Sequence, residues 1–280
     1  MSANNVKCSD FYWAKFQEIT LSEVWAELAT DSLRRFGLPI RAIEFSATLG
    51  GDTMRFVDDP ESLADLASVM PTCTTGDLGI YASREGETES FVRWEGCAVI
   101  QLKGRYSFLG VTDSVPIELA ELSDLHLAMI GPIVKPAYGI SYTHPLWLAP
   151  WAYANGTLSG RIATDRSPEA KAYQLSVREW SSDTSDDQKG FHGWFRDVYP
   201  HQFLSPEHVS IRLQDGRSFM DSEIGKLTPY GEDRWWWSVD EAELSTARDM
   251  LAAASRLLCP PTLPSRWHIP KNLLSRAKRQ

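Results

Sequence analysis

Three consecutive tryptophans, Trp235, Trp236 and Trp237, constrain the fold of this chain more than any other feature of its sequence. Successive side chains of a β-strand face opposite sides, so Trp236 must point away from its two neighbours and both faces of that strand carry a large ring. Such a strand is either covered on both sides, or an edge whose outer ring meets a partner. Eleven Trp occur in the 280 residues, and rings of that size belong to cores or to recognition surfaces.

Around this strand the pattern alternates between helical and extended periods. Thr20, Leu21, Ser22 and Glu23 form a capping box, and Leu21, Val24, Trp25, Leu28 and Phe36 then keep helical spacing until Gly37 and Pro39. Ile43, Phe45 and Ala47 alternate as a half-buried strand, Gly50-Gly51-Asp52 reads as a turn, and Asp59-Pro60 opens a second helix through Leu63, Leu66, Ala67 and Met70. Short alternating runs between residues 78 and 112, separated by glycines, predict an antiparallel meander. Pro116 opens a third helix with Leu119, Leu122, Leu125 and Met129 on one face, and Ser167-Pro168 a fourth with Tyr173, Val177 and Trp180. The acidic stretch 181–190 follows as a loop. A hairpin is predicted where Val209, Ile211 and Leu213 meet Asp215-Gly216. Asp240 with Glu243 predicts the cap of a final helix with Leu244, Ala247, Leu251, Ala254 and Leu258 on one face.

Helices and strands interleave without the strict rhythm of a doubly wound sheet, so the expected class is α+β: a mixed or antiparallel sheet, or sheets, with helices packed on one face. Turn-formers near Asn155-Gly156 suggest two similar-sized lobes, 1–155 and 156–262, followed by a basic tail over 263–280, while one continuous domain over 1–262 is equally tenable.

Charge narrows the partner. The tail carries Arg266, Lys271, Arg276, Lys278 and Arg279 with no acid among them, and removing those five positive charges from the net −9 leaves −14 for residues 1–265. A body that acidic repels nucleic-acid backbones and anionic lipid and suits a basic protein partner. Cys8, Cys73, Cys97 and Cys259 form no C-x-x-C pair, which predicts neither a zinc knuckle nor a disulfide framework but reduced thiols. No window reads as a secretion signal or a membrane span, so a soluble, cytoplasmic protein is expected.

Two segments crowd residues that bear chemistry. Residues 191–208 hold His192, Asp197, His201, Glu207 and His208, a set that a metal-dependent hydrolase or nuclease-like enzyme would use. The histidine spacings of nine and seven match no zinc template, and Pro200 and Pro206 interrupt any helix that would align them. Phe191, Trp194, Phe195 and Tyr199 fit instead a helix face pinned into a core. Over residues 142–153, two prolines forbid a long helix while Tyr142, His144, Trp147, Trp151 and Tyr153 crowd an irregular backbone, the form of a binding loop or of a hydrophobic plug beneath a sheet. With Asp183, Asp186 and Asp187 of the acidic loop, these five are the candidate partner-binding residues. There is no nucleophile elbow and no phosphate-binding glycine loop, so no catalytic residue, cofactor or metal is predicted.

Trp194-Phe195-Arg196-Asp197-Val198-Tyr199-Pro200, Phe203-Leu204-Ser205-Pro206-Glu207-His208-Val209, Gly225-Lys226-Leu227-Thr228-Pro229 and Trp235-Trp236-Trp237-Ser238-Val239, preceded by Tyr138-Gly139-Ile140-Ser141-Tyr142, resemble a family of uncharacterised bacterial proteins over roughly residues 138–258. Such families resemble the immunity proteins encoded beside polymorphic toxins. The resemblance implies an acidic, non-catalytic α+β protein and carries no site residues. The expected function is therefore a protein-binding protein, an immunity-type inhibitor whose partner is a cognate toxin, with the hydrolase above or a subunit of a bacterial defence assembly as alternatives.

Overall fold

A computed structural model describes residues 5–13, 23–49, 52–58, 76–84, 94–102, 105–145 and 193–258, together with Pro168, Lys171, Ala172 and Leu175. Ten strands form one sheet: β1 (Asn5–Tyr12), β2 (Ile40–Leu49), β3 (Asp52–Asp58), β4 (Gly76–Ala82), β5 (Gly96–Gln101), β6 (Tyr106–Thr112), β7 (Tyr138–Pro145), β8 (His201–Leu204), β9 (Lys226–Tyr230) and β10 (Arg234–Ser238). The helices are α1 (Glu23–Arg35), α2 (Leu119–Ile130), α3 (Pro206–Val209) and α4 (Leu244–Ala253). The strand order is β3-β2-β4-β5-β6-β1-β7-β8-β10-β9, and every pairing is antiparallel.

The most N-terminal strand lies at the centre. β1 pairs with β6 on one side, Cys8 opposite Gly110, and with β7 on the other, Cys8 opposite Tyr142. Its side chains alternate between two cores. Phe11 and Trp13 join Leu78, Ile80, Ala98, Ile100, Leu109 and Val111 on the first face of the sheet, beneath Trp25, Ala29 and Leu33 of α1 and Leu122, Met129 and Ile130 of α2. Val6, Cys8 and Tyr12 join Tyr106, Phe108, Tyr138 and Tyr142 on the second face, which Phe195, Phe219 and, from α4, Ala247 and Leu251 complete. The α+β class holds, but helices lie on both faces rather than on one. The reason is that the chain after β10 returns across the sheet and buries the inner side of α4 opposite α1 and α2. Strands from both sides of position 155 meet in this sheet, where β7 pairs with β8.

The tryptophan run does what its alternation requires. β10 lies between β8 and β9; Trp236 sits with Phe203 and Phe11 on the first face, and Trp237 sits between Phe195 and Phe219 on the second. The Trp237 ring also explains Gly225. At φ +68° a Cβ there would lie 2.6 Å from Trp237 Nε1, which donates to the Ile224 carbonyl at 3.0 Å. Gly139 plays a similar part in β7, since a Cβ would meet the Phe11 ring at 2.5 Å.

Three local expectations are corrected. The 193–209 stretch is not a helix face: it is irregular up to Pro200, then β8, then the four residues of α3, because Pro200 and Pro206 break helical continuity while Phe195, Tyr199 and Phe203 still reach the core. The predicted hairpin reduces to a single bridge, Arg212 with Ser218, although Val209, Ile211 and Leu213 are all buried as their alternation requires. The last helix begins at Leu244 after a 3₁₀ turn over Glu241–Glu243, receives no side-chain cap from Asp240 or Glu243, and ends at Ala253. Beyond it Ser255 takes φ +54°, and the chain doubles back to bridge Leu257 to Phe195. Of the remaining predicted elements, the capping residues 20–22, the Gly50-Gly51 turn and the helix at 60–70 lie outside the described residues. Within the predicted fourth helix, Pro168, Lys171, Ala172 and Leu175 are helical.

Candidate functional site

Adjacent residues of β1 carry two buried polar groups to opposite faces. On the first face the Ser9 hydroxyl lies 3.1 Å from His126 Nδ1, and His126 Nε2 lies 2.9 Å from the Ser107 hydroxyl, which itself donates to the Val99 carbonyl at 3.0 Å. With the Ser107 proton on that carbonyl, Nε2–H donates to Ser107 and Nδ1 accepts from Ser9. The imidazole is therefore neutral and fully engaged, and burial pushes its pKa down to about 3. Ser123 of α2 hydrogen-bonds Ser141 of β7 beside it. This polar seam ties α2 to three strands, and it is no nucleophile and base pair, since the serine proton is committed to backbone and all three groups are fully buried.

On the second face Asp10 is also fully buried, yet neither carboxylate oxygen closes a hydrogen bond of good geometry. Burial raises its pKa to about 7, against the pull of the Tyr106 and Tyr142 hydroxyls and of the Arg196 guanidinium. Arg196 lies over the Tyr12 ring at 4.8 Å, and Tyr12 in turn stacks on Tyr138. Cys8 and Cys97 are free thiols on the same face, pushed well up by burial.

The 192–208 set is not brought together. His201 lies on the first face, stacked on Trp236 at 4.3 Å with its Nδ1 3.0 Å from the Ser238 hydroxyl; burial pushes its pKa down to about 4. His208 lies on the second face, stacked on Tyr138 at 4.9 Å. Its Nε2–H donates to the Trp194 carbonyl at 3.2 Å and its Nδ1 meets the Ser205 hydroxyl at 2.8 Å. The buried Asp197 carboxylate accepts two hydrogen bonds from Arg248, the one from Nε at 2.9 Å, and so ties the 193–200 stretch to α4. Glu207 is exposed, and His192 lies outside the described residues. Among the described residues, no three His, Cys, Asp or Glu side chains come together to hold a metal.

Of the candidate partner-binding residues, Tyr142 and His144 belong to β7, which replaces the irregular backbone expected there, and both side chains are buried. This is the packing alternative for these two positions, with burial lowering the His144 pKa to about 4. Trp147, Trp151, Tyr153, Asp183, Asp186 and Asp187 lie outside the described residues.

An accessible concavity opens elsewhere, on the first face between the C-terminal end of α2 and the β9–β10 turn. This groove encloses about 590 Å³, with Phe203 and Tyr230 among its aromatic lining and Ala128 and Gly131 on the α2 side. Tyr230 is 45% exposed and packs edge-on against Phe203. The two cations of the wall are paired internally: the Asp233 carboxylate takes Lys135 Nζ at 2.9 Å and Arg234 Nη1 at 2.8 Å, and the Lys135 hydrogen bond leads in holding that carboxyl below its ordinary range. Glu232 is exposed at the turn, and Glu118, Glu121 and Asp124 are exposed along α2. Sequence reasoning missed the groove, because its lining comes from three separate stretches of chain, 127–136, Phe203 and 230–234; the signal at hand was an aromatic beside a turn, Pro229-Tyr230-Gly231.

No family model matches the chain, and no curated protein matches it. Among solved structures, a T6SS protein of Pseudomonas aeruginosa is similar at 9% identity with a TM-score of 0.48, over 89% of this chain and 72% of that one. A likeness that shallow carries neither residues nor an activity across. Among the described residues, no helix is long and apolar enough to cross a membrane.

Proposed function

We propose that this chain is a non-catalytic protein-binding protein of the immunity type, which occludes a basic bacterial toxin. One observation carries the reading. The described histidines, His126, His144, His201 and His208, and the Asp10 carboxyl are buried within the packing, whereas Glu118, Glu121, Asp124, Glu207, Glu232 and Glu241 stand in solvent. A molecule arranged this way has an accessible acidic surface and sequestered imidazoles. The acidic surface accelerates encounter with a basic protein, and buried contacts slow release. The divided placement of Asp197, His201 and His208 lends no support to the hydrolase alternative.

The test is co-expression of the tagged full chain with the open reading frames that flank its gene. The reading expects one stable, basic protein to co-purify and, where that protein is toxic alone, growth to be restored by the full chain. Recovery of no partner, together with turnover of a phosphodiester or ester that is lost on His201→Ala, overturns it.

A further inference from the structure

The proposed function leaves open where a basic partner is held. We propose that the groove between the end of α2 and the β9–β10 turn seats an extended basic segment of that partner, with one apolar side chain between Ala128 and Tyr230 and flanking Lys or Arg side chains along the exposed face of α2. This rests on the binding reading and adds the surface and the chemistry of the occupant.

The first support is the continuity of α2 with the groove. Residues three and four apart on a helix share a face, so the row holding Gly131 and Ala128 runs back through Asp124 and Glu121, all four exposed. From 121 to 131 the rise is about 15 Å, the reach of about five residues of extended chain at ~3.3 Å each. One short segment therefore covers the cavity and the acidic row together.

Charge supplies the second support. Glu121, Asp124 and Glu232 are exposed and form no ion pair among the described residues, whereas Lys135 and Arg234 are both held by Asp233. That cluster keeps one net positive charge, which Glu232 balances, so the charge left to an incoming chain is the negative row of Glu121 and Asp124 on α2. Within the cavity the exposed Tyr230 ring, backed by Phe203 and Trp236, offers an aromatic face that takes an aliphatic side chain or the cation at the end of a lysine.

The sheet edge narrows the binding mode. β9 is an outer strand, and Pro229, opposite Trp235, contributes no N–H. A proline there discourages addition of a further strand, so the occupant is read by its side chains across the groove rather than by backbone pairing.

The test uses isotopically labelled full chain and two defined probes, the acetylated and amidated peptides Lys-Lys-Leu-Lys-Lys and Glu-Glu-Leu-Glu-Glu, followed by amide chemical shifts. The basic peptide is expected to shift the amides of Ala128, Gly131 and Gly231 saturably, with an effect that weakens as salt rises, and the acidic peptide to leave them in place. Ala128→Arg, at an exposed helical position, fills the lip with a cation and should weaken the basic peptide by at least about tenfold, the equivalent of ~1.4 kcal/mol, with the thermal midpoint unchanged; Tyr230→Ala should act in the same direction. Shifts absent from the groove, or affinity unmoved by Ala128→Arg, overturn the proposal. So do concentration-dependent shifts at these amides without peptide, which would assign the groove to a second copy of the chain, or shifts there on removing residues 263–280, which would assign it to the chain's own basic end. A partner recovered by co-expression whose binding ignores Ala128→Arg also overturns the groove while the binding reading stands, whereas failure to recover a partner bears on that reading alone.

Discussion

Ser9 and Asp10 are neighbours on the central strand, equally buried, and they meet opposite surroundings. Ser9 looks into a face where it bonds His126, whose other ring nitrogen bonds Ser107 under a helix, so the polar group there is neutral and satisfied. Asp10 looks into a face of tyrosines and one arginine in which its carboxylate closes no bond of good geometry, so its charge is tolerated only in part. The first face uses polarity as a stitch between α2 and the sheet; the second stores an electrostatic cost at its centre. A buried polar group therefore says little about function until its partners are known.

The largest effects expected from breaking this two-faced arrangement come from the tryptophans of β10. Trp236→Ala and Trp237→Ala should each cost roughly 3–5 kcal/mol, the range for truncating a large buried ring. Trp237→Ala should be the worse, because it also removes the hydrogen bond to the Ile224 carbonyl. Urea unfolding midpoints measure both, and a fold indifferent to either change would refute the placement of that ring.

The contrast between Asp10 and His126 sharpens with pH, because the two act with opposite sign. The folded pKa of Asp10, about 7, lies above its ordinary 3.8, so the stability tied to its neutral form is complete below pH 4 and is lost as pH rises towards 7. His126 has a folded pKa of about 3 below its ordinary 6.5, so its contribution is complete above pH 6.5 and is lost as pH falls towards 3. Over its full window each shift is worth on the order of 4 kcal/mol. Asp10→Asn should consequently gain on the parent protein as pH rises from 4 to 7, and His126→Gln should gain on it as pH falls from 6.5 to 3. Parallel stability curves for parent and variant would contradict the assignment of either group.

A smaller effect separates the pin of α4 from the cores it joins. Arg248→Ala leaves the buried Asp197 carboxylate without its charged partner, and since Arg248 is half exposed the loss should be about 1–2 kcal/mol. Hydrogen exchange should then speed up in α4 and around Phe195 and leave α1 and α2 unchanged; equal acceleration everywhere would mean that the pair does not act locally.

The legible parts of this fold were those in which one periodicity ran unopposed. α1 and α2 follow stripes of large apolar residues, and β10 was fixed by the alternation of its three rings. β1 was invisible as the centre of the sheet because Lys7, Ser9 and Asp10 interrupt its apolar positions, and their partners in β6, β7 and α2 are about 100 residues or more away in the chain. In the 193–208 stretch Phe195 and Tyr199 reach the core as their aromatic character predicts, on a path that is not the predicted helix, since burial fixes which residues face inward and not the path between them. The groove left only the aromatic beside a turn at Pro229-Tyr230-Gly231, because exposure of Tyr230 beside Ala128 is a property of the assembled surface.

The proposed function requires an acidic surface to capture a basic protein, and the association rate of the full chain with a partner recovered by co-expression tests this most directly. Between about 0.01 M and about 1 M salt the screening length falls from about 30 Å to about 3 Å. The account predicts an association rate that falls steeply across this range while dissociation changes little, and a Glu121→Lys, Asp124→Lys double variant that associates slowly even at low salt. An association rate that is flat in salt and the same for that variant would contradict it.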